Sequence, residues 1–230
     1  MGKMNPKYGS ELHLYRRIEC GIRQQEFTQT IVDAINLQTA VHVDTIDWSQ
    51  SKQPEKNGKR LEWRQLSFLG DSAISKSFSG VWKGGLINWD AIGYDPVNKV
   101  WVLCEAKANI EEMSCNREKK KRDKILNSFK AVFRDVEGVQ VTDEWLKDYY
   151  QFANRLLVQK FLESEGLRSV LVNIYFCGDT KGRRSVTCPE NSDDGIKQWR
   201  EAINCEYLRL GLNPKPRIVR DHVANVFIPV

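Results

Sequence analysis

Three charged side chains stand where charge is costly. Asp90 lies within the apolar run Leu86-Ile-Asn-Trp-Asp-Ala-Ile-Gly93, and Glu105 and Lys107 close a second run, Val100-Trp-Val-Leu-Cys-Glu-Ala-Lys107. An ionised group in a largely buried strand must pair, bind a metal or shift its pKa, because uncompensated desolvation costs several kcal/mol. Glu105 and Lys107, two residues apart, face the same side of a strand. Two carboxylates converging on one side form a hard, oxygen-rich site of the kind Mg²⁺ or Mn²⁺ takes, completed by water and substrate phosphate oxygens. A neighbouring lysine can orient a nucleophilic water and stabilise charge developing on a phosphate. The trio therefore points to phosphodiester hydrolysis. The alternative is an ion pair of Glu105 and Lys107 with Asp90, since structural ion-pair networks imitate functional sites.

Convergence depends on the turn between the two runs, Asp95-Pro-Val-Asn98, whose residue types suit a tight hairpin. With two loop residues, Pro96 and Val97, Asp90 opposes Leu103 and shares a face with Glu105. With three, and Asn98 left-handed, Asp90 opposes Cys104 and the parity is wrong unless a bulge restores it. Both stand open on the sequence. An acid two residues before a lysine also occurs at Glu118/Lys120 and Asp179/Lys181, but only Glu105/Lys107 lies on an apolar strand.

The elements that must position these residues follow from periodicity and punctuation. Gly21 to Gln38 reads as an amphipathic helix, with Ile22, Phe27, Ile31, Ala34 and Ile35 on one face, and Ala40 to Trp48 alternates as a half-buried strand. Ser49 to Lys59 is a polar loop, Leu61 to Leu69 a short helix, and Gly70 to Gly85 has little periodicity. After the hairpin come helices over Cys115 to Val136 and Thr142 to Ser164, the latter opened by capping residues and followed by Gly166. The apolar strand Ser169 to Cys177, broken only by Asn173, precedes a polar loop, a helix over Gly195 to Leu210 and a strand-like tail from Arg217. This order describes an α/β domain with a central mixed β-sheet flanked by helices.

Asn88-Trp-Asp90, fourteen further residues, then Glu105-Ala-Lys107 resembles the PD-(D/E)XK nuclease superfamily, the restriction-endonuclease-like fold, in which an Asp ends one strand and Glu-x-Lys lies on the next. Trp89 occupies the usual position of Pro. The resemblance covers about residues 62–177, with helix-strand additions at both ends. It implies a Mg²⁺- or Mn²⁺-dependent nuclease acting on DNA, with Asp90 and Glu105 as metal ligands and Lys107 positioning the attacking water. Family members often add an acid from an upstream helix, for which Glu62 is preferred over Glu26, and polar residues from the helix after the motif. Gln151 and Asn154 are the candidates there, although Tyr150 directly precedes Gln151, a departure from family members with a Gln and Tyr. The basic run Arg117 to Lys124 then offers Lys119, Lys120, Lys121 and Arg122 as backbone contacts that do not read bases. A small endonuclease that cuts both strands often needs two active sites, which leaves a homodimer open alongside a monomer. The rival is a nucleic-acid-binding or assembly protein of the same fold without turnover.

Composition agrees with one domain and excludes other chemistries. A chain of 230 residues, 41% hydrophobic, suffices for one sizeable core, and a formal charge of +5 permits a polyanionic partner without demanding one. No run approaches the roughly 18 apolar residues of a membrane span, and the N-terminus lacks the apolar segment of a secretory signal, which favours a cytoplasmic setting. The six cysteines show no CxxC or nearby His pair, so free thiols are expected rather than zinc or disulfides. Three scattered histidines and the lack of a Gly-x-Ser-x-Gly elbow or Walker loop set aside the common hydrolase and nucleotide motifs. Trp82, Trp89 and Trp101 read as core rather than base-stacking platforms.

Overall fold

A computed structural model describes residues 9–51, 63–114, 121–179 and 186–230. In chain order its elements are α1 (Gly9–Leu14), α2 (Gln24–Gln38), β1 (Trp63–Arg64), α3 (Ser72–Val81), β2 (Asn88–Trp89), β3 (Ala91–Asp95), β4 (Val100–Lys107), α4 (Arg122–Val132), α5 (Tyr150–Ser164), β5 (Ser169–Cys177), α6 (Asp193–Arg209), α7 (Arg217–His222) and β6 (Val223–Pro229). The main sheet runs β3-β4-β5-β6, with β3 antiparallel to β4 and the other pairs parallel, while β1 and β2 form a separate antiparallel pair. This is an α/β architecture with a four-stranded mixed sheet flanked by helices. Among the described residues no helix is long and apolar enough to cross a membrane.

Both faces of the sheet are covered, which is why all nine residues of β5 are buried and its sequence reads as a near-continuous apolar run. One face, with Ile92, Leu103, Leu171 and Val223, packs against side chains of α3 to α7, among them Phe78, Phe129, Phe161, Trp199 and Ile218. The other, with Ala91, Val102, Cys104, Val172 and Ile174, packs against Leu14, Phe27, Ile31, Ile35 and the segment from Val41 to Trp48.

That segment is not the expected strand; it makes a single antiparallel bridge, Asp47 to Tyr94. Side chains take its backbone groups instead. Asn36 donates to the Val43 carbonyl at 2.8 Å and accepts from the Val43 N–H at 2.9 Å, and the Asp44 N–H donates to Asp95 at 2.9 Å. The segment still buries Val41, Val43, Ile46 and Trp48.

Other expectations shift for comparable local reasons. The first amphipathic helix starts at Gln24, after Arg23 in the left-handed region, which leaves Ile22 exposed. The helix expected over Leu61 to Leu69 is replaced, in its described part, by β1 and a 3₁₀ turn, with Gln65 at φ 49° between them. In the stretch without visible periodicity, Asp71 accepts from the Ala73 and Ile74 N–H groups at 2.8 and 3.1 Å and opens α3. Thr142 to Ser164 divides into a 3₁₀ turn at Asp143–Leu146 and α5, because Lys147 leaves helical geometry and Trp145 anchors to the Leu210 carbonyl. The tail opens with α7, whose first turn is closed by the Pro216 carbonyl accepting from Val219 and Arg220, and only then enters β6. Five cysteines, Cys20, Cys104, Cys177, Cys188 and Cys205, are free thiols.

Gly93 in β3 permits the close approach of the 41–48 segment to the sheet. A methyl group there would overlap Ile46 and press on Trp48. Gly93→Ala is expected to destabilise the fold by about 1–3 kcal/mol through overpacking, read as a lower urea midpoint with an unchanged slope.

Candidate active site

The hairpin turn settles the parity question in a third way. Asp95 pairs with Val100, so Pro96 to Lys99 form a four-residue loop, with Lys99 at φ 54° and the Asp95 carboxylate accepting from the Val97 and Asn98 N–H groups. Ala91 then pairs with Cys104, where the ladder ends, and Asp90 next to it lies close to Glu105. The same register extends across the sheet, since Glu105 pairs with Asn173 and Asn173 with Asn225. Three polar residues, Glu105, Asn173 and Asn225, therefore lie in a row near the carboxyl ends of the parallel strands, with Asp90 beside Glu105. The next row holds Lys107, Tyr175 and Phe227.

Asp90 sits between β2 and β3, outside the ladder. Its N–H donates to the Cys104 carbonyl at 3.3 Å, and its Oδ2 accepts from the Ala106 N–H at 2.8 Å. Glu105 is buried and doubly clamped. Its Oε1 takes the Lys107 ammonium at 2.5 Å, and its Oε2 takes Arg155 through Nη2 at 2.7 Å and Nε at 2.9 Å. Arg155, from α5, also donates to the Asn88 carbonyl, reaches Asn154 Oδ1 at 2.6 Å and lies 5.0 Å from the centre of the Trp89 ring. Lys107 makes a second bond, to Gln151 Oε1 at 2.9 Å.

Electrostatics divide the carboxyl groups into two kinds. Burial raises the pKa of Glu105, but Arg155 and Lys107 outweigh it and leave the group below the usual carboxylate range. Asp90, shut in and next to Glu105, is pushed up to about 8. Glu206 on α6 is buried and also pushed up to about 8, with Lys107 opposing and Glu105 reinforcing the rise. Burial lowers the pKa of Lys107, yet Glu105 and Asp90 prevail and hold the ammonium above its ordinary value.

The donor set fits a two-carboxylate cation site. An ionised carboxylate offers about four lone-pair directions, and the two clamps use three of those on Glu105, leaving one. Among the described residues no cation hydrogen-bonds Asp90, so its carboxyl is free to take a metal in exchange for its proton. Among the described residues there is no group of three or more His, Cys, Asp and Glu side chains arranged for a metal, so waters and substrate oxygens would complete the shell, as Mg²⁺ prefers.

The structure thus brings together Asp90, Glu105, Lys107 and Gln151, with Asn154 reaching them through Arg155. Glu62, Lys119 and Lys120 lie outside the described residues. Lys121 is exposed just before α4, and Arg122 pairs with Asp143 at 3.4 Å. Glu26 is exposed on α2, which packs on the opposite face of the sheet, and it is not part of the site. Trp82 and Trp89 are buried and Trp101 half-buried against Phe68 and Tyr94, as expected of core aromatics.

Sequence reasoning missed Arg155, Glu206, Asn173, Tyr175 and Asn225. Three of these left a signal. Arg155 stands four residues after Gln151, on the same helix face. Glu206 interrupts the apolar stripe Trp199, Ile203, Leu210 of α6, and Asn173 interrupts the apolar run of β5. No family model matches the chain, and neither curated proteins nor solved structures give a significant match.

Two measurements follow. Arg155→Met strips Glu105 of its main partner and should cost about 3–5 kcal/mol in urea unfolding, as for other broken buried pairs. Glu206 has a folded-state pKa above its unfolded one, so below about pH 4.5 it is protonated in both states and contributes no difference. As pH rises toward 8 the unfolded chain releases a proton that the folded chain keeps, and stability falls. Glu206→Gln should remove that fall, gaining on the parent between pH 5 and 8 with a slope of up to about 1.4 kcal/mol per pH unit.

Proposed function

We propose that this protein is a divalent-metal-dependent nuclease of the PD-(D/E)XK type, with a restriction-endonuclease-like core, acting on DNA. The observation that carries the reading is the meeting of Asp90, Glu105 and Lys107 at the carboxyl end of β4, with Gln151 on Lys107. Open α/β sheets bind ligands outside the carboxyl ends of their strands, and this trio sits there.

In this reading Asp90 and Glu105 hold Mg²⁺ or Mn²⁺, which when bound supplies Lewis-acid stabilisation of the phosphate and lowers the pKa of water. The protein's own groups do the positioning. Gln151 and Glu105 hold the Lys107 ammonium between them, so that its positive charge faces the attacking water and the negative charge developing on the phosphate. Arg155 keeps Glu105 ionised and aimed. Lys119, Lys120, Lys121 and Arg122, ahead of and at the start of α4, serve as contacts to the nucleic-acid backbone, and cutting both strands of a duplex calls for two such centres and hence a homodimer. The free thiols suit a cytoplasmic setting.

One observation favours a second reading, a DNA-binding protein of this fold without turnover: Glu105 is already compensated by two cations. Cleavage of plasmid and single-stranded DNA with Mg²⁺ or Mn²⁺ separates the two. The parent protein should cleave, and Asp90→Ala and Lys107→Ala, shown to be folded by circular dichroism, should lose about 10²–10³-fold in rate. Salt-sensitive DNA binding without cleavage would favour the second reading. Neither binding nor cleavage, and no metal-dependent rise in Tm, would leave the cluster as a structural ion pair.

A further inference from the structure

Beside Lys107 lies a cavity of about 20 Å³, where β4, β5, α5 and α6 meet. One water needs roughly 10–15 Å³ and two to four polar partners. The polar side chains lining this cavity are Glu105, Lys107, Gln151, Asn173, Tyr175 and Glu206. Its volume is enough for a water.

The hydrogen-bond inventory shows which groups want that water. An ammonium has three donors and no acceptor. Lys107 spends one donor on Glu105 and another on Gln151, leaving one for the cavity. Glu206 is 4% exposed, and among the described residues no group hydrogen-bonds its carboxyl. Both groups line the cavity, Lys107 with a donor to place and Glu206 with an acceptor oxygen to fill. Asn173 donates its amide N–H to Asn225 at 3.2 Å, which leaves its own oxygen as a further acceptor on the lining.

We infer that the cavity is a single-water site, in which Lys107 donates to the water and the water donates to Glu206, so that Glu206 is a positioning residue for the Lys107 ammonium. The site stands on the cavity and its lining. The positioning role rests on the nuclease reading above. With the water in place all three Lys107 donors are committed, and the ammonium is held in one orientation rather than swinging between acceptors. No α6 residue was expected at the site from sequence, and Glu206 brings that helix into it.

High-resolution crystal structures of the full chain and of Glu206→Leu and Glu206→Gln, with cleavage kinetics on plasmid DNA and Mn²⁺, test this. The parent map should show one water within hydrogen-bond distance of Lys107 Nζ and a Glu206 carboxyl oxygen. Leucine, close in volume but apolar, should expel the water and lower kcat by about 10- to 100-fold at unchanged KM. Glutamine, which still offers an acceptor, should recover the water and the larger part of the lost rate. Glu206→Met replaces the leucine variant if that one does not fold. A parent map without this water overturns the site, and a leucine or methionine variant with unchanged kcat overturns the positioning role. Absence of cleavage by the parent protein sinks the nuclease reading and the positioning role with it, while the map still decides the water.

Discussion

A carboxylate in the middle of a buried strand has to be answered by cations brought from elsewhere in the chain, and Glu105 sets that demand here. Lys107 answers from the same strand, but the fuller answer is Arg155, which α5 delivers with two nitrogens on one carboxylate oxygen. The same guanidinium lies against the Trp89 ring and holds the Asn88 carbonyl. It therefore fixes the end of β2, one residue before Asp90. One compensated charge thus ties α5, β2 and β4 into a single unit, and the place of Asp90 depends on it. Replacing such a cluster with apolar residues can stabilise a fold, so its presence asks for a reason other than stability.

The sheet gives that reason a direction. Reading across the strands toward their carboxyl ends, Ile92, Leu103, Leu171 and Val223 form an apolar row within the core. The next row holds Glu105, Asn173 and Asn225, with Asp90 beside Glu105, and the one after it Lys107, Tyr175 and Phe227. Apart from Asp95 and Ser169 at the other end of the strands, the buried polar side chains of the sheet gather at this end of this face. The opposite face carries only small and β-branched apolar residues at the corresponding positions, such as Cys104, Ala106, Val172, Ile174, Ala224 and Val226. A fold that needed only a core would have no cause to break its symmetry in this way, whereas a site at the strand ends needs that asymmetry.

The sequence made much of this legible because strand patterns are local. Ser169 to Cys177 was readable to the residue, and the trio of charges in the hairpin stood out against apolar neighbours. What the sequence could not carry was register. The turn has four loop residues, not two or three, because Asp95 spends its carboxylate on the Val97 and Asn98 N–H groups and on Asp44, a partner 51 residues away. The missing strand at Ala40 to Trp48 has the same origin, since its apolar residues are buried but the burial slips register between Val43 and Ile46, and side chains from α2 and the hairpin take backbone groups at Val43 and Asp44. Arg155 and Glu206 were hidden for a related reason: a charged residue on a helix reads as exposed until a partner on another element is known to lie beneath it.

Charge balance links the site's chemistry to its burial. Near neutral pH the enclosed centre holds Lys107, Arg155 and ionised Glu105, while Asp90 and Glu206, each raised to about 8, largely keep their protons. Two cations against one anion leave the centre positive, which suits an approaching phosphate. A divalent cation would enter such a site by displacing the Asp90 proton, since a ligand carboxyl must be ionised. The centre then gains one positive charge rather than two, because the new carboxylate offsets part of the metal. Glu206, further along α6 and facing Lys107 rather than Asp90, is left out of that exchange and keeps its proton. The three carboxyl groups thus stand in three states within one cluster: Glu105 stays ionised and anchors the cations, Asp90 would give up its proton to a metal in the nuclease reading, and Glu206 remains neutral beside the lysine.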